Sequence, residues 1–224
     1  MTASWGGLLL SEYKFKKSLL WILAIIIISS LTALSLRQAT YWRNERTLYE
    51  HALTIEPDSP FLHTNYGKSL YESGKTEAAI DHFLQALQVK PDSPGLLKNL
   101  GTAFYAAGKF NKAEACLQKA LTLEKGNIEA GHRLAKLYLA FGNPEKAAMI
   151  YKSLLSARPE YCAEICYNLS SIYSIQNKQK TAVAWLKKSI DSGFTDIELL
   201  KNDNNMKNIK KTKYYNEFVN KSQQ

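Results

Sequence analysis

The sequence predicts an all-α protein, a right-handed α-solenoid of helix-turn-helix units preceded by one transmembrane helix, and three observations carry that expectation. A single uncharged apolar run extends from Leu19 to Leu36, residues 60–196 align with themselves at a period of 34, and a glycine or asparagine recurs in the middle of each period. The 224 residues are 46% hydrophobic, enough to bury a core, which excludes a chain disordered throughout. Three cysteines are too few for a disulfide framework to hold a chain of this size.

The apolar run (LLWILAIIIISSLTALSL, 19–36) is expected to span a bilayer, after an N-terminal leader over 1–18. At 1.5 Å per residue its 18 residues cover about 27 Å, close to the hydrocarbon thickness. Tyr13 and Trp21 precede or open the run, and Tyr41 and Trp42 follow it, where amphipathic rings favour the membrane interface. The hydroxyls of Ser29, Ser30, Thr32 and Ser35 are expected to bond back to helix carbonyls. A cleavable signal peptide is the rival: Lys14, Lys16 and Lys17 would be its basic start, and Ala33 and Ser35 its small residues. The long leader, and a run that continues past that site, favour an uncleaved single-pass anchor. Three basic residues precede the run and Arg37, Arg43 and Arg46 follow it; the tighter lysine cluster points to an internal amino terminus and an extracytoplasmic, periplasmic solenoid.

Beyond Pro60 the columns recur. Gly67, Gly101, Ala135 and Ser170 form one small-residue column, and Ala79, Ala113, Ala147 and Ala182 another. Bulky residues keep step: Tyr66, Leu100, Leu134, Leu169; Leu70, Phe104, Tyr138, Tyr173; Phe83, Leu117, Tyr151, Leu186. Small residues let two helices approach and large ones fill the groove between them. Gly74, Gly108, Gly142 and Asn177 divide each unit into two helices, being the types that tolerate a left-handed turn. Pro91 and Pro159 close the second helix of their units, and Lys125-Gly126-Asn127 does so in the unit between.

This pattern resembles the tetratricopeptide repeat, a unit of 34 residues with bulky-Leu-Gly-x-x-Tyr in its first helix, Ala and Phe in its second and a terminal Pro. Four units match: 60–93, 94–127, 128–161 and, after a one-residue insertion near Cys162, 163–196. Lys125 and Phe194 depart from the terminal proline and Ser170 from the glycine, so the fourth unit diverges most. Residues 197–224 are expected to form short capping helices and a basic tail. Residues 37–59 place Tyr49, Ala52 and Pro57 in second-helix register, 34 before Phe83, Ala86 and Pro91, as a partial unit lacking its first helix.

The junction is similar to the end of multi-spanning membrane glycosyltransferases that use polyprenyl-phosphate sugars and carry such repeats. Tyr41, Trp42, Asn44, Leu48, Tyr49, Ala52, Leu53, Pro57 and Asp58, then Asn65-Tyr66-Gly67, carry the likeness. It implies an accessory, non-catalytic portion of such an enzyme, since one span supplies no catalytic membrane domain.

No enzymatic motif emerges. Gly74-Lys75-Thr76 lacks the first glycine of a phosphate loop, that position being Ser69, and no buried strand precedes it. Cys162 and Cys166 are four apart and can share a helix face, but His51, His63, His82 and His132 are scattered, so no metal site and no cofactor are expected; the two thiols read as structural, with a strained local disulfide that leaves Cys116 free as the alternative for an exported domain. The net charge of +9 divides into +1 over 1–59, +5 over 60–196 and +3 over 197–224. That diffuse excess is no nucleic-acid footprint; it biases the surface toward acidic partners and anionic lipid.

In this repeat geometry the first helices line the concave face, where Asn65, Asn99, Arg133 and Asn168 form a polar column. An asparagine pairs with both groups of one peptide unit, and the family resemblance implies contact with an extended chain for Asn65, Asn99 and Asn168. Arg133 departs from the column and suits a carboxylate. Lys68, Lys98, Lys136, Tyr71 and Tyr105 would add charge and stacking area. The structural alternative, an asparagine bonding to a helix, stands beside this one. The expected function is therefore a membrane-anchored scaffold that binds a protein or extended peptide.

Overall fold

The computed structural model describes the backbone of residues 4–42 and 44–221, with side chains over 21–39, 42 and 44–220. The rings of Tyr13 and Tyr41 and the charges of Lys14, Lys16, Lys17 and Arg43 lie outside the described residues. All regular structure among those residues is helical. The chain divides into two compact units, residues 1–57 and 58–224.

The first unit holds α1 (Ser4–Tyr41) and α2 (Glu45–Ile55). α1 is continuous from Ser4, so leader and apolar run form one helix, with no proline to end it between them. Its segment Trp21–Ala39 has a mean hydropathy of 1.8 and is long and apolar enough to cross a membrane. Ser29 and Ser30 donate to the Ile26 carbonyl at 2.9 and 2.8 Å, and Thr32 to that of Ile28 at 2.8 Å, which removes the cost of unpaired hydroxyls. Asn44 starts α2, its carboxamide accepting from the Thr47 N–H at 2.9 Å.

The second unit stacks four helix pairs: α3 (Pro60–Glu72) with α4 (Thr76–Val89), α5 (Pro94–Ala106) with α6 (Phe110–Leu123), α7 (Ile128–Ala140) with α8 (Pro144–Ala157), and α9 (Cys162–Ile175) with α10 (Gln179–Asp191). Each pair turns at a residue of positive φ: Gly74 (77°), Gly108 (71°), Gly142 (68°) and Asn177 (58°). The N–H one residue later reaches back to the last turn of the first helix, Lys75 to Leu70, Lys109 to Phe104, Asn143 to Tyr138 and Lys178 to Tyr173, at 2.8–2.9 Å. That bond satisfies an orphan carbonyl and needs the left-handed residue before it. A 3-10 turn over Pro159–Tyr161 leads into α9, which is one residue longer than α7 and so absorbs the insertion.

Within each pair the small-residue column sets the helix separation. A Cβ on Gly67 would stand 2.7 Å from the Phe83 ring, and one on Gly101 2.8 Å from Leu117 Cγ and 3.3 Å from the Ala113 carbonyl. In the fourth pair Ser170 fits the same place because its hydroxyl donates to the Ala182 carbonyl at 2.7 Å. The third pair has a further close approach: a Cβ on Gly131 would meet Leu154 at 2.5 Å. Ala79, Ala113, Ala147 and Ala182 are wholly buried opposite.

The last pair is covered by α11 (Ile197–Asn202), a 3-10 turn over Asn204–Met206 and α12 (Lys213–Lys221). Leu200, Met206, Ile209 and Tyr215 pack with Tyr167, Ala182 and Leu186 in one apolar cluster. Tyr167 stacks on Phe194 with ring centroids 4.6 Å apart and donates its hydroxyl to Asp203 at 2.9 Å.

Three histidines sit in the packing between paired helices. His82 Nδ1 is 2.9 Å from His63 Nδ1. His132 Nδ1 is 2.7 Å from the Tyr151 hydroxyl, whose own ionisation burial pushes far out of the ordinary range. Burial, then the neighbouring His63 charge, lowers the His82 pKa; burial, then Lys136, lowers that of His132.

Gly101→Ala is expected to destabilise the protein by about 1–3 kcal/mol, read as a lowered thermal midpoint by circular dichroism. Because His82 and His132 titrate lower in the fold than unfolded, their contribution is complete above about pH 6.5 and is lost as pH falls through the folded values. The urea midpoint should therefore drop between pH 7.5 and pH 5, less so in His132→Gln; equal midpoints for the two proteins at both pH values would contradict this.

Candidate functional site

The first helices α3, α5, α7 and α9 bring their polar columns onto one trough of adjoining cavities. Between α3 and α5 lies a cavity of about 370 Å³ lined by Asn65, Lys68, Lys98 and Asn99, with Phe61 at its rim. It shares Lys68, Lys98 and Asn99 with the next, of about 300 Å³, which adds Tyr71, Thr102, Glu129 and Arg133. Tyr71, Thr102 and Arg133 pass on to a third, of about 200 Å³, with Tyr105, Leu117 and Lys136. Lys136 then borders the largest, about 700 Å³, where Asn168 faces the capping segment. All nine candidate side chains thus line one connected series, each cavity sharing residues with the next.

Helical register explains this. Lys68 lies three residues after Asn65 and Tyr71 three after Lys68, so the three share one stripe of α3; Asn99, Thr102 and Tyr105 repeat it on α5. Gly67 and Gly101, on the other side of the stripe, hold α4 and α6 close behind.

The charges are partly neutralised from within. Glu129 accepts from Lys98 at 2.5 Å and from Arg133 at 3.3 Å. The Lys98 ammonium, helped by Arg133, holds the Glu129 carboxyl below the usual carboxylate range. Among the described residues, Lys68 and Lys136 line the trough without a carboxylate partner. Asn168 differs from Asn65 and Asn99, because its amide donates to the Glu164 carbonyl of its own helix at 3.0 Å.

The reading of columns missed Glu129, whose signal was its i,i+4 spacing to Arg133. It also missed the walls of the largest cavity: His132, Tyr151, Tyr167, Phe194 and the carboxylates Glu164, Asp196 and Asp203. Asp196 accepts from the Leu199 N–H at 2.8 Å and Asp203 from that of Asn205 at 2.8 Å, so both anchor the cap. No sequence signal ties them to the trough, because they come from the divergent terminal segment.

Among the described residues no three His, Cys, Asp or Glu side chains gather to hold a metal ion. Gly74-Lys75-Thr76 is the turn between α3 and α4.

Three models of the tetratricopeptide repeat match the chain, over residues 67–108, 104–165 and 163–192. No match was found among curated proteins. Among solved structures, MamA is 22% identical with a TM-score of 0.59, the match covering 64% of this chain and 84% of that one. YrrB, a TPR protein with an unusual peptide-binding site, is 12% identical at a TM-score of 0.58, covering 78% and 90%. A thermophilic TPR protein of Thermus thermophilus is 20% identical at 0.54, covering 77% and 91%. At these identities the likeness shows the fold, and the three repeat matches run with overlaps from 67 to 192. With its left-handed turns and small-residue columns, this chain is a member of the tetratricopeptide-repeat family.

Proposed function

We propose that this protein is a membrane-anchored docking scaffold that holds an extended segment of a partner protein, with a bias for acidic sequence, along the trough of its first helices. The observation that carries the reading is the connected trough with Asn65 and Asn99 one repeat apart in it. Their amides offer donor and acceptor side by side, which suits the backbone of an extended chain independently of its sequence. Lys68 and Lys136 supply charge for acidic side chains, and Tyr71 and Tyr105 supply stacking area. Asn168, tied to its own helix, is assigned the lesser share, and Lys98 and Arg133 act through their exchange with Glu129. YrrB, of the same fold, has a peptide-binding site, which adds weight to the reading.

The anchor is assigned to Trp21–Ala39, whose 19 residues reach about 28 Å as a helix. Its exposed side chains, such as Trp21, Ile25, Ile28 and Leu34, need an apolar solvent. A single pass with the repeats on the extracytoplasmic side is the arrangement proposed. A second reading, favoured by the likeness of residues 41–67 to sugar transferases, makes the chain their accessory portion; loss of glycan transfer on deleting it would select that reading.

Anisotropy of a fluorescein-labelled, unstructured Glu-rich peptide against the full chain in detergent tests the trough. The double variant Asn65→Ala/Asn99→Ala should bind about tenfold more weakly, two lost amide contacts at about 0.5–1.5 kcal/mol each, with helicity unchanged. Equal affinity of that variant and the parent chain removes the asparagine ladder. Glu129→Gln should bind a few-fold more tightly, since it releases Lys98 and Arg133 from an exposed pairing that is itself worth at most about 1 kcal/mol. Carbonate extraction of membranes tests the anchor: the chain should stay with the lipid, and its release into the wash would overturn the assignment.

A further inference from the structure

The first turn of α9 carries two thiols in contact. Cys162 and Cys166 stand four residues apart, and their Sγ atoms lie 2.9 Å from each other, well inside the separation of two non-bonded sulfurs. Four residues of α-helix place the Cα atoms about 6.2 Å apart, within the interval a disulfide spans. The Cys162 N–H bonds to the Pro159 carbonyl of the preceding 3-10 turn, which places Cys162 at the first position of α9. The two sulfurs also differ in access: Cys162 is half-buried, while Cys166 is fully buried.

We propose that Cys162 and Cys166 form a redox-active dithiol that closes to an intrahelical disulfide at the C-terminal end of the trough. The oxidant is a small-molecule disulfide, RSSR. The accessible Cys162 gives up its proton to solvent and attacks one sulfur of RSSR; the R–S–S–R bond breaks and RS⁻ leaves, taking up a proton. Cys166 then loses its proton, attacks Cys162 Sγ and expels the second RS⁻, which is protonated in turn. Two protein thiols are oxidised by two electrons to one disulfide, and one RSSR is reduced to two RSH. Burial, with the neighbouring thiol, pushes the Cys166 thiol up to about 12, against which the Lys188 charge acts. The buried sulfur is therefore the resolving partner and the half-exposed one the entry point.

The bond would bracket the turn of α9 that carries Glu164, and Tyr167 and Asn168 follow directly after it; all three line the cavity of about 700 Å³. Closing it would pin that end of the trough. Formation of the bond does not depend on what the trough binds, so its test is separate from that of peptide docking.

The reduced full chain in detergent is incubated with oxidised glutathione under native conditions, acid-quenched, denatured and labelled with a mass-tagged maleimide. Of the three free thiols, one should remain, Cys116. The tryptic peptide that holds both Cys162 and Cys166 should be two hydrogens lighter and unlabelled. Cys116→Ser, which leaves α9 untouched, should lose all labelling, and Cys162→Ala should retain both of its thiols or carry glutathione on them without an internal bond. Three labelled thiols in the parent chain, a bond involving Cys116, or a glutathione adduct on Cys162 that Cys166 never displaces would each overturn the proposal.

Discussion

The close approach of the two helices in each repeat is the constraint on which the rest of this structure depends. Where Gly67 and Gly101 face Phe83 and Leu117, even a methyl group would overlap the opposite side chain. The helices consequently pack backbone against side chain, and the polar stripes of α3 and α5 lie to the other side, where they line the trough. The constraint is chemical and not compositional, as the fourth pair shows. Ser170 carries more atoms than glycine, and in the fold its buried hydroxyl donates to the Ala182 carbonyl across the pair. A buried hydroxyl with a partner costs little, and without one it would cost about 1–3 kcal/mol.

A stacked array of this kind leaves its last unit with an apolar face that no further repeat covers. Here the covering is done by a segment of different pattern. Leu200, Met206 and Ile209 are wholly buried against the final pair, and Ser170 Oγ lies 3.9 Å from the Met206 sulfur. Gln179 donates to the Asn208 carbonyl at 2.7 Å, and Asn208 donates to Asn177 at the left-handed turn, also at 2.7 Å. The cap thus closes the core and at the same time forms one wall of the largest cavity, through Asp196, Leu199 and Asp203.

Electrostatics along the trough follow from the same stacking. Lys98 on α5 meets Glu129 on α7 only because successive first helices lie side by side, and Arg133 reaches that carboxylate from its own helix. Internal pairing lowers the free charge of a surface whose overall excess is +9 for the chain. An arrangement of that type holds Lys98 and Arg133 in register along the trough with their charge internally paired.

Much of the solenoid was legible in one sequence because its defining contacts are local and repeated. The breakers Gly74, Gly108, Gly142 and Asn177 all take the left-handed conformation, for the steric reason that singles out those residue types. The columns of Ala, Leu and Tyr mark which face of each helix is buried, since 3.6-residue periodicity is set by the backbone itself. Tertiary structure alone decided what crosses between units: that Glu129 closes on Lys98, that Tyr167 stacks on Phe194 and reaches Asp203, and that α11 and its neighbours lie over the last pair. These partners stand some 27 to 36 residues apart, in a segment or register with no repeating counterpart, so their meeting depends on how the units stack. Periodicity states which way a side chain points; only the packed array states what it meets there.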